Sequence, residues 1–272
     1  MNETKGRDTD VIVTKFNKQT AMKKILLTMT LVLAGLSVQA QGPNPNSANN
    51  LPMVKPSHVW PMPSDAQLAA WNQLNEKAKK NDGELMTETD WQKLENIQEE
   101  NAILDDLYSG KCSWYCGGEV QRVTASSHLK AQGRFNYLPK NAHDFTFDAV
   151  WAEGVEGQGI GEWLEYEFAG VCPRVTAVKI LPGHVKTKTA WEANSRPKYI
   201  KVYYLGKPVC ILDLQDERAM QYFDLEKFGP FGYHDSDKPS WRLRFEILDV
   251  YPGTKYQDTV ISELEFEGID VH

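Results

Sequence analysis

Period-two alternation of apolar and charged residues runs through the second half of the chain and fixes its fold class. Leu164, Tyr166 and Phe168 alternate with Glu165 and Glu167. Trp241, Leu243, Phe245 and Ile247 alternate with Arg242, Arg244 and Glu246. Successive side chains of a strand point to opposite faces, so such a run buries one face and wets the other, as antiparallel sheets do. Further runs are Val120–Ala125, the stretch holding Thr176, Val178 and Ile180, Ile200 to Tyr204, Val209 to Leu214, Gln221 to Leu225 and Ile261 to Phe266. Eight short strands without helices between them predict an all-β antiparallel β-sandwich of jelly-roll type.

A short α-helical hairpin precedes the strands, over residues 64–108. Ser64-Asp65-Ala66-Gln67 reads as a capping box, and Leu68, Trp71, Leu74 and Ala78 follow at helical spacing. Asn81-Asp82-Gly83 stops that helix. Thr89 to Gln92 reads as a second capping box, with Trp91, Leu94, Ile97, Leu104 and Tyr108 as the next apolar stripe. Each helix carries one apolar face, for its own core or for a partner protein. Residues 41–63, rich in Pro and Asn, read as a linker.

The front of the chain has the three parts of an export signal. Met22-Lys23-Lys24 is basic, Ile25 to Leu36 is apolar and uncharged, and Val38 and Ala40 are small. Residues 22–40 are thus expected to be a cleavable signal peptide, cut after Ala40. Residues 1–21 sit in front of a better start at Met22. The apolar run is shorter than the roughly 20 residues a span requires, and no other run approaches that length, so the mature chain is expected to be secreted or periplasmic with no membrane span. The formal charge is −7, with 30 Lys+Arg against 37 Asp+Glu, which argues against a nucleic-acid partner.

Four cysteines after an export signal read as disulfides. The expected pairs are Cys112–Cys116, closing a tiny loop, and Cys172–Cys210, stapling neighbouring strands; free buried thiols are the alternative for the second pair. The C-x3-C spacing has no second close pair to complete a zinc site.

Catalytic signatures are missing. Gly154, Gly157, Gly159 and Gly161 do not form G-x-G-x-x-G and lead into a strand, not a helix. There is no P-loop, H-E-x-x-H or G-x-S-x-G. Glu153 and Asp148 are the carboxylates one would pair for a glycoside hydrolase, which requires them to face each other across a cleft. One segment stands out, Pro182 to Pro197, long for a strand connection. It gathers His184, Lys188, Trp191, Asn194 and Arg196 in an otherwise acidic chain. An aromatic plate beside amide and cationic donors is what a sugar ring and its hydroxyls require. The competing reading has Trp191 plugging the sandwich end.

Several strings together are more specific. They are Cys112-Ser113-Trp114-Tyr115-Cys116-Gly117-Gly118, Ala125-Ser126-Ser127-His128-Leu129, Asn141-Ala142-His143-Asp144, the stretch from Trp151 to Trp163, Asn194-Ser195-Arg196-Pro197-Lys198, and the closing run from Asp249 to Phe266. They resemble the NADase-type glycan-binding domain, a discoidin-like (F5/8 type C) module of the galactose-binding-like group, over residues 111–270. The resemblance implies a jelly roll with ligand loops at one end and no catalysis by the module. NAD hydrolysis belongs to a separate domain of the namesake. Such modules often hold a structural calcium. Asp144 matches its first acid and Glu263 its late acid, while Phe145, Thr146 and Ala149 depart from the pattern. No cofactor is required. The resulting expectation is a non-catalytic secreted module that binds a glycan or oligosaccharide through His184, Lys188, Trp191, Asn194 and Arg196. An envelope protein partner is the first alternative, and a glycan hydrolase the second.

Overall fold

The computed structural model of the chain describes residues 51–104, 113–230 and 238–269. The expected signal peptide, its cleavage after Ala40 and Cys112 lie outside these residues. Two sheets form a sandwich. The first has six strands in the order β1 (Met53–Val54), β8 (Lys207–Asp213), β7 (Arg196–Tyr204), β10 (Trp241–Tyr251), β5 (Trp163–Phe168) and β3 (Val120–Ala125). The second has five, in the order β2 (His58–Pro61), β9 (Ala219–Phe228), β6 (Val175–Pro182), β11 (Val260–Gly268) and β4 (Trp151–Ala152). All pairings are antiparallel except β1 on β8.

The core lies between the sheets. Leu164, Tyr166 and Phe168 of β5 meet Leu243, Phe245 and Ile247 of β10, as the alternation predicts, and all are buried. Across from them lie Val178, Ile180, Leu264 and Phe266 of the second sheet. Phe168 stacks on Trp241 at 4.2 Å between ring centroids and meets Phe266 edge-on at 4.9 Å, arrangements aromatic quadrupoles favour. Trp114 is fully buried and donates its Nε1–H to the Pro173 carbonyl at 3.0 Å.

Alternation fails on β6 and β11. Lys179, Leu181, Glu263 and Glu265 are buried although they face away from the sandwich interior. The reason is a second apolar layer. α1 (Asp65–Lys79) and α2 (Glu88–Glu100) lay Leu68, Trp71, Leu74, Leu94 and Ile97 against Leu181, Met220, Phe147 and Val185. The apolar faces of the hairpin therefore serve the chain's own core. Lys179 pairs with Glu267 at 2.8 Å. α1 is further tied down at its start, where Asp65 accepts the Lys188 N–H at 3.0 Å and pairs with Arg218 at 2.8 Å.

The structure changes four expectations. Residues 51–63 are not linker: β1 and β2 add an edge strand to each sheet, since an open edge offers unpaired backbone groups to any extended segment beside it. The α2 cap is Thr87 with Asp90 rather than Thr89 with Gln92, and the carboxylate completes the box while also binding Lys77 at 2.6 Å. Trp91 stays 45% exposed instead of joining the stripe. Cys172 and Cys210 are not bonded to each other. Cys210 points into the sandwich from β8, where burial pushes its thiol up to about 12, and the Cys172 thiol donates to the Glu119 carbonyl at 3.3 Å.

Candidate functional site

Register brings four connections to one end of the sandwich. Ala125 pairs with Leu164, Ala152 with Val260, Pro182 with Ile261 and Arg196 with Tyr251. The segments 126–150, 153–162, 183–195 and 252–259 therefore crowd together there.

The 183–195 segment is not an open loop. Thr187 caps a short helix, α3 (Lys188–Ala193), accepting the Ala190 N–H at 3.1 Å. Trp191 is half-buried and donates its Nε1–H to the Pro182 carbonyl at 3.0 Å. The Arg196 guanidinium lies over the Trp191 ring at 4.1 Å and donates to the carbonyls of Trp191 and Asn194. It also pairs with Asp216 at 2.7 Å. Asn194 donates to the Ala190 carbonyl at 2.8 Å. Gly183, at φ +84°, makes this packing possible: a Cβ there would lie 2.7 Å from the Trp191 ring and 2.8 Å from Arg196. Trp191, Asn194 and Arg196 thus satisfy one another and the backbone. Lys188 is exposed and pairs with Glu192 on the same helix. Of the five expected ligand residues, these four gather around α3, and His184 alone opens elsewhere.

His184 lines a cavity of about 380 Å³ whose other walls come from the 126–150 segment. Gln132 and Phe135 exchange backbone hydrogen bonds, with Gly133 at φ +61° between them, giving a tight hairpin that projects Arg134 and Phe135. Phe135 is 53% exposed, with the Arg134 guanidinium 5.1 Å from its ring centre. Buried Asn141 secures the hairpin's return: its amide donates to the carbonyls of Asn136 and Val150, both at 3.0 Å. Tyr137 packs against Val150 and Val260, forming the inner wall. His184 is held from behind, since Ser262 Oγ accepts the Val185 N–H at 3.2 Å and donates to the Gly183 carbonyl at 2.7 Å. The buried His184 Nε2 has no hydrogen-bond partner. Burial, aided by the Lys186 charge, holds the imidazole below its ordinary 6.5, so at neutral pH the ring is uncharged and presents either a donor or an acceptor.

The hydrolase pairing gains nothing from the geometry. Glu153 is fully buried and spends its two oxygens on the backbone N–H groups of Thr259 and Val155, at 3.0 and 2.9 Å. Asp148 is an exposed partner of Lys186 at 2.8 Å. Asp144 and Glu263 do come together. Both accept the Thr146 N–H at 3.0 Å, and Thr146 Oγ1 donates to Asp144 at 2.8 Å. Phe145, at φ +58°, makes the turn between them. Burial, then the Glu265 charge and the adjacent Asp144, drive the Glu263 carboxyl well above its ordinary range, and its Oε2 has no partner. Among the described residues no three His, Cys, Asp or Glu side chains cluster as a metal set.

Residues 114–267 match the NAD glycohydrolase translocation F5/8 type C domain. The chain belongs to that family. No curated protein matches it. Among solved structures it is similar to the CBM32-1 and CBM32-2 domains of Clostridium perfringens ZmpB, at 11% identity and a TM-score of 0.42, over 73% of this chain and 51% of that one. It is also similar to CpGH89CBM32-5 of Clostridium perfringens, a complex with GalNAc-β-1,3-galactose, at 12% identity and a TM-score of 0.37, over 54% and 94%. A third is the mycobacterial arabinofuranosyltransferase AftD, at 17% identity and a TM-score of 0.38, over 57% and 11%. The chain spans about half the length of the first of these. The F5/8 type C match leaves β1, β2, α1 and α2 outside its limits.

The hairpin residues Arg134, Phe135 and Tyr137 escape a sequence reading centred on Pro182 to Pro197. A signal was present: Gly133 at the first central position of a two-residue turn, followed by two aromatics one residue apart.

Proposed function

We propose that this F5/8 type C chain is an exported, non-catalytic carbohydrate-binding module that takes a sugar in the cavity between the Gln132–Phe135 hairpin and His184. The observation that carries the reading is the pairing of an exposed aromatic with an unpartnered buried polar atom in one cavity. Phe135 offers a face for sugar C–H groups, and Arg134 and His184 offer hydrogen bonds to hydroxyls. Lys188, Trp191, Asn194 and Arg196 gather around α3 and do not line this cavity.

The test is a glycan array probed with residues 41–272 displayed multivalently, since single modules bind weakly and avidity amplifies the signal. Phe135→Ala and His184→Ala should each cut binding at least tenfold (~1.4 kcal/mol) with little change in thermal stability. Binding undiminished in both variants would move the site elsewhere.

We also infer that the Asp144–Glu263 pair would hold calcium if the module takes one. Two adjacent carboxyl groups with one unpartnered oxygen fit the charge of a cation. They supply few of the six to eight oxygens calcium takes, so backbone carbonyls and water would supply the remainder. Its role there would be structural, neutralising the turn that leads to the cavity wall.

A further inference from the structure

A second cavity, of about 250 Å³, adjoins the first, and Asp148 lines both. Its walls are the residues just before Asp148 and one side of α1, where Asn72, Asn75, Glu76 and Lys79 stand. The ridge between the cavities is held from two directions. Phe147 is buried in the same apolar cluster as Trp71 of α1, and Thr146 is bound through its N–H to Asp144 and Glu263. Both cavities therefore belong to the folded state rather than to a mobile loop. Asp148 and Lys186 meet on the ridge at 2.8 Å, with side chains 63% and 50% exposed. An ion pair that open to water contributes little, so each partner is available to a ligand. On α1, the half-buried Asn72 lines the second cavity. Glu76 and Lys79 pair with each other at 3.1 Å. The charged side chains that line the two cavities balance, Arg134 and Lys79 against Asp148 and Glu76.

From this continuity we infer that the two cavities are subsites of one groove, and that the ligand is a largely uncharged oligosaccharide rather than a single sugar or a polyanionic chain. The inference rests on the glycan-binding reading above. The first cavity takes one sugar against Phe135 and His184. The next unit crosses Asp148 and Lys186 and meets the Asn72 amide. Because α1 lies outside the family match at 114–267, one wall of this second subsite comes from the helical segment and the other, Thr146 to Asp148, from the matched module.

The experiment uses an array printed with monosaccharides, the same sugars extended to di- and trisaccharides, and sulfated chains. It is probed with the wild-type chain, Asn72→Tyr and Asn72→Ala. Wild type should favour the extended neutral glycans over their terminal monosaccharide at least tenfold. Asn72→Tyr, which fills the second cavity, should bring that ratio close to one, and Asn72→Ala should lower it in part; thermal melting checks that both variants fold. Equal wild-type binding of monosaccharide and extended glycan, a ratio unchanged in both variants, or a preference for sulfated chains would overturn the inference while leaving glycan binding in place. A folded chain that binds no glycan would overturn both.

Discussion

Replacing Arg196 by alanine separates two roles for the segment before β7. If Arg196 contacts ligand, the substitution removes binding and spares the fold. The structure assigns it the opposite role. Arg196 is 6% exposed, and its guanidinium makes two contacts to Asp216 at 2.8 and 2.7 Å and two to the carbonyls of Trp191 and Asn194 at 3.2 and 3.0 Å. It also covers the Trp191 ring at 4.1 Å. Hydrogen bonds to charged groups contribute roughly 1.5–3 kcal/mol each, and a cation over an aromatic ring about 0.5–2 kcal/mol. The Asp216 share must be discounted, because that side chain is 41% exposed and water replaces part of what it loses. A net loss of about 3 kcal/mol follows, at the low end of what truncating a buried ion pair costs. For a domain of this size that corresponds to a fall in Tm of roughly 6–12 °C. Thermal melting followed by circular dichroism measures it, with glycan binding assayed well below the variant's Tm. A Tm within about 2 °C of wild type together with lost glycan binding would refute this reasoning and return Arg196 to the ligand.

Three further outcomes follow from the same packing. Iodoacetamide at pH 8 should leave Cys172 and Cys210 unmodified in the folded chain and alkylate both, without reductant, once urea unfolds it; a Cys172–Cys210 disulfide would block that second reaction. Glu263 has a carboxyl raised by burial, so its stabilising contribution is complete below the unfolded value of 4.5 and is lost as pH rises through the folded value. Glu263→Gln should therefore raise Tm at pH 7 in chelator and change it less at pH 4, and it should abolish any rise in Tm that calcium gives the wild type; a lowered Tm at pH 7 in chelator would contradict the burial argument. Asp90 shows the reverse sign. Lys77 and the Thr87 cap hold it well below its ordinary 3.8, so its contribution is present above that value and fades as pH falls. Asp90→Asn should lower helical stability at pH 7, by an amount that shrinks as acid is added; a deficit independent of pH would assign the effect to packing.

The strands were legible wherever one face met water. β5 and β10 follow alternation because their outward side chains are only half-buried or exposed while their inward ones are buried. On β6 and β11 the period disappears, since α1, α2 and Phe147 bury the second face, and a strand buried on both sides has no polar phase to reveal it. β1 and β2 were hidden for a different reason. Short edge strands are made by the neighbour that accepts them, and Met53-Val54 and His58 to Pro61 carry no strong preference of their own. The first helix cap was read in register and the second was two residues off, because Asp90 substitutes for the expected Glu or Gln. At the candidate site, residue chemistry singled out His184 but not the other residues that line its cavity. Trp191 and Arg196 have the right chemistry for a sugar, yet Gly183 lets them pack on each other, a close approach that no spacing rule encodes. The aromatic that faces the cavity, Phe135, sits in a segment whose only local signal was a glycine turn.

In the proposed function, the cavity between residues 132–137 and His184 receives the glycan. An isotope-labelled chain titrated with the strongest glycan from the array, followed by amide chemical shifts, reads this directly. A glycan in this cavity should give the largest shifts at Arg134, Phe135, His184 and Asp148, with the α3 amides of Trp191 and Glu192 little moved. Shifts centred on α3, or spread over the outer face of the six-stranded sheet with residues 132–137 silent, would contradict it.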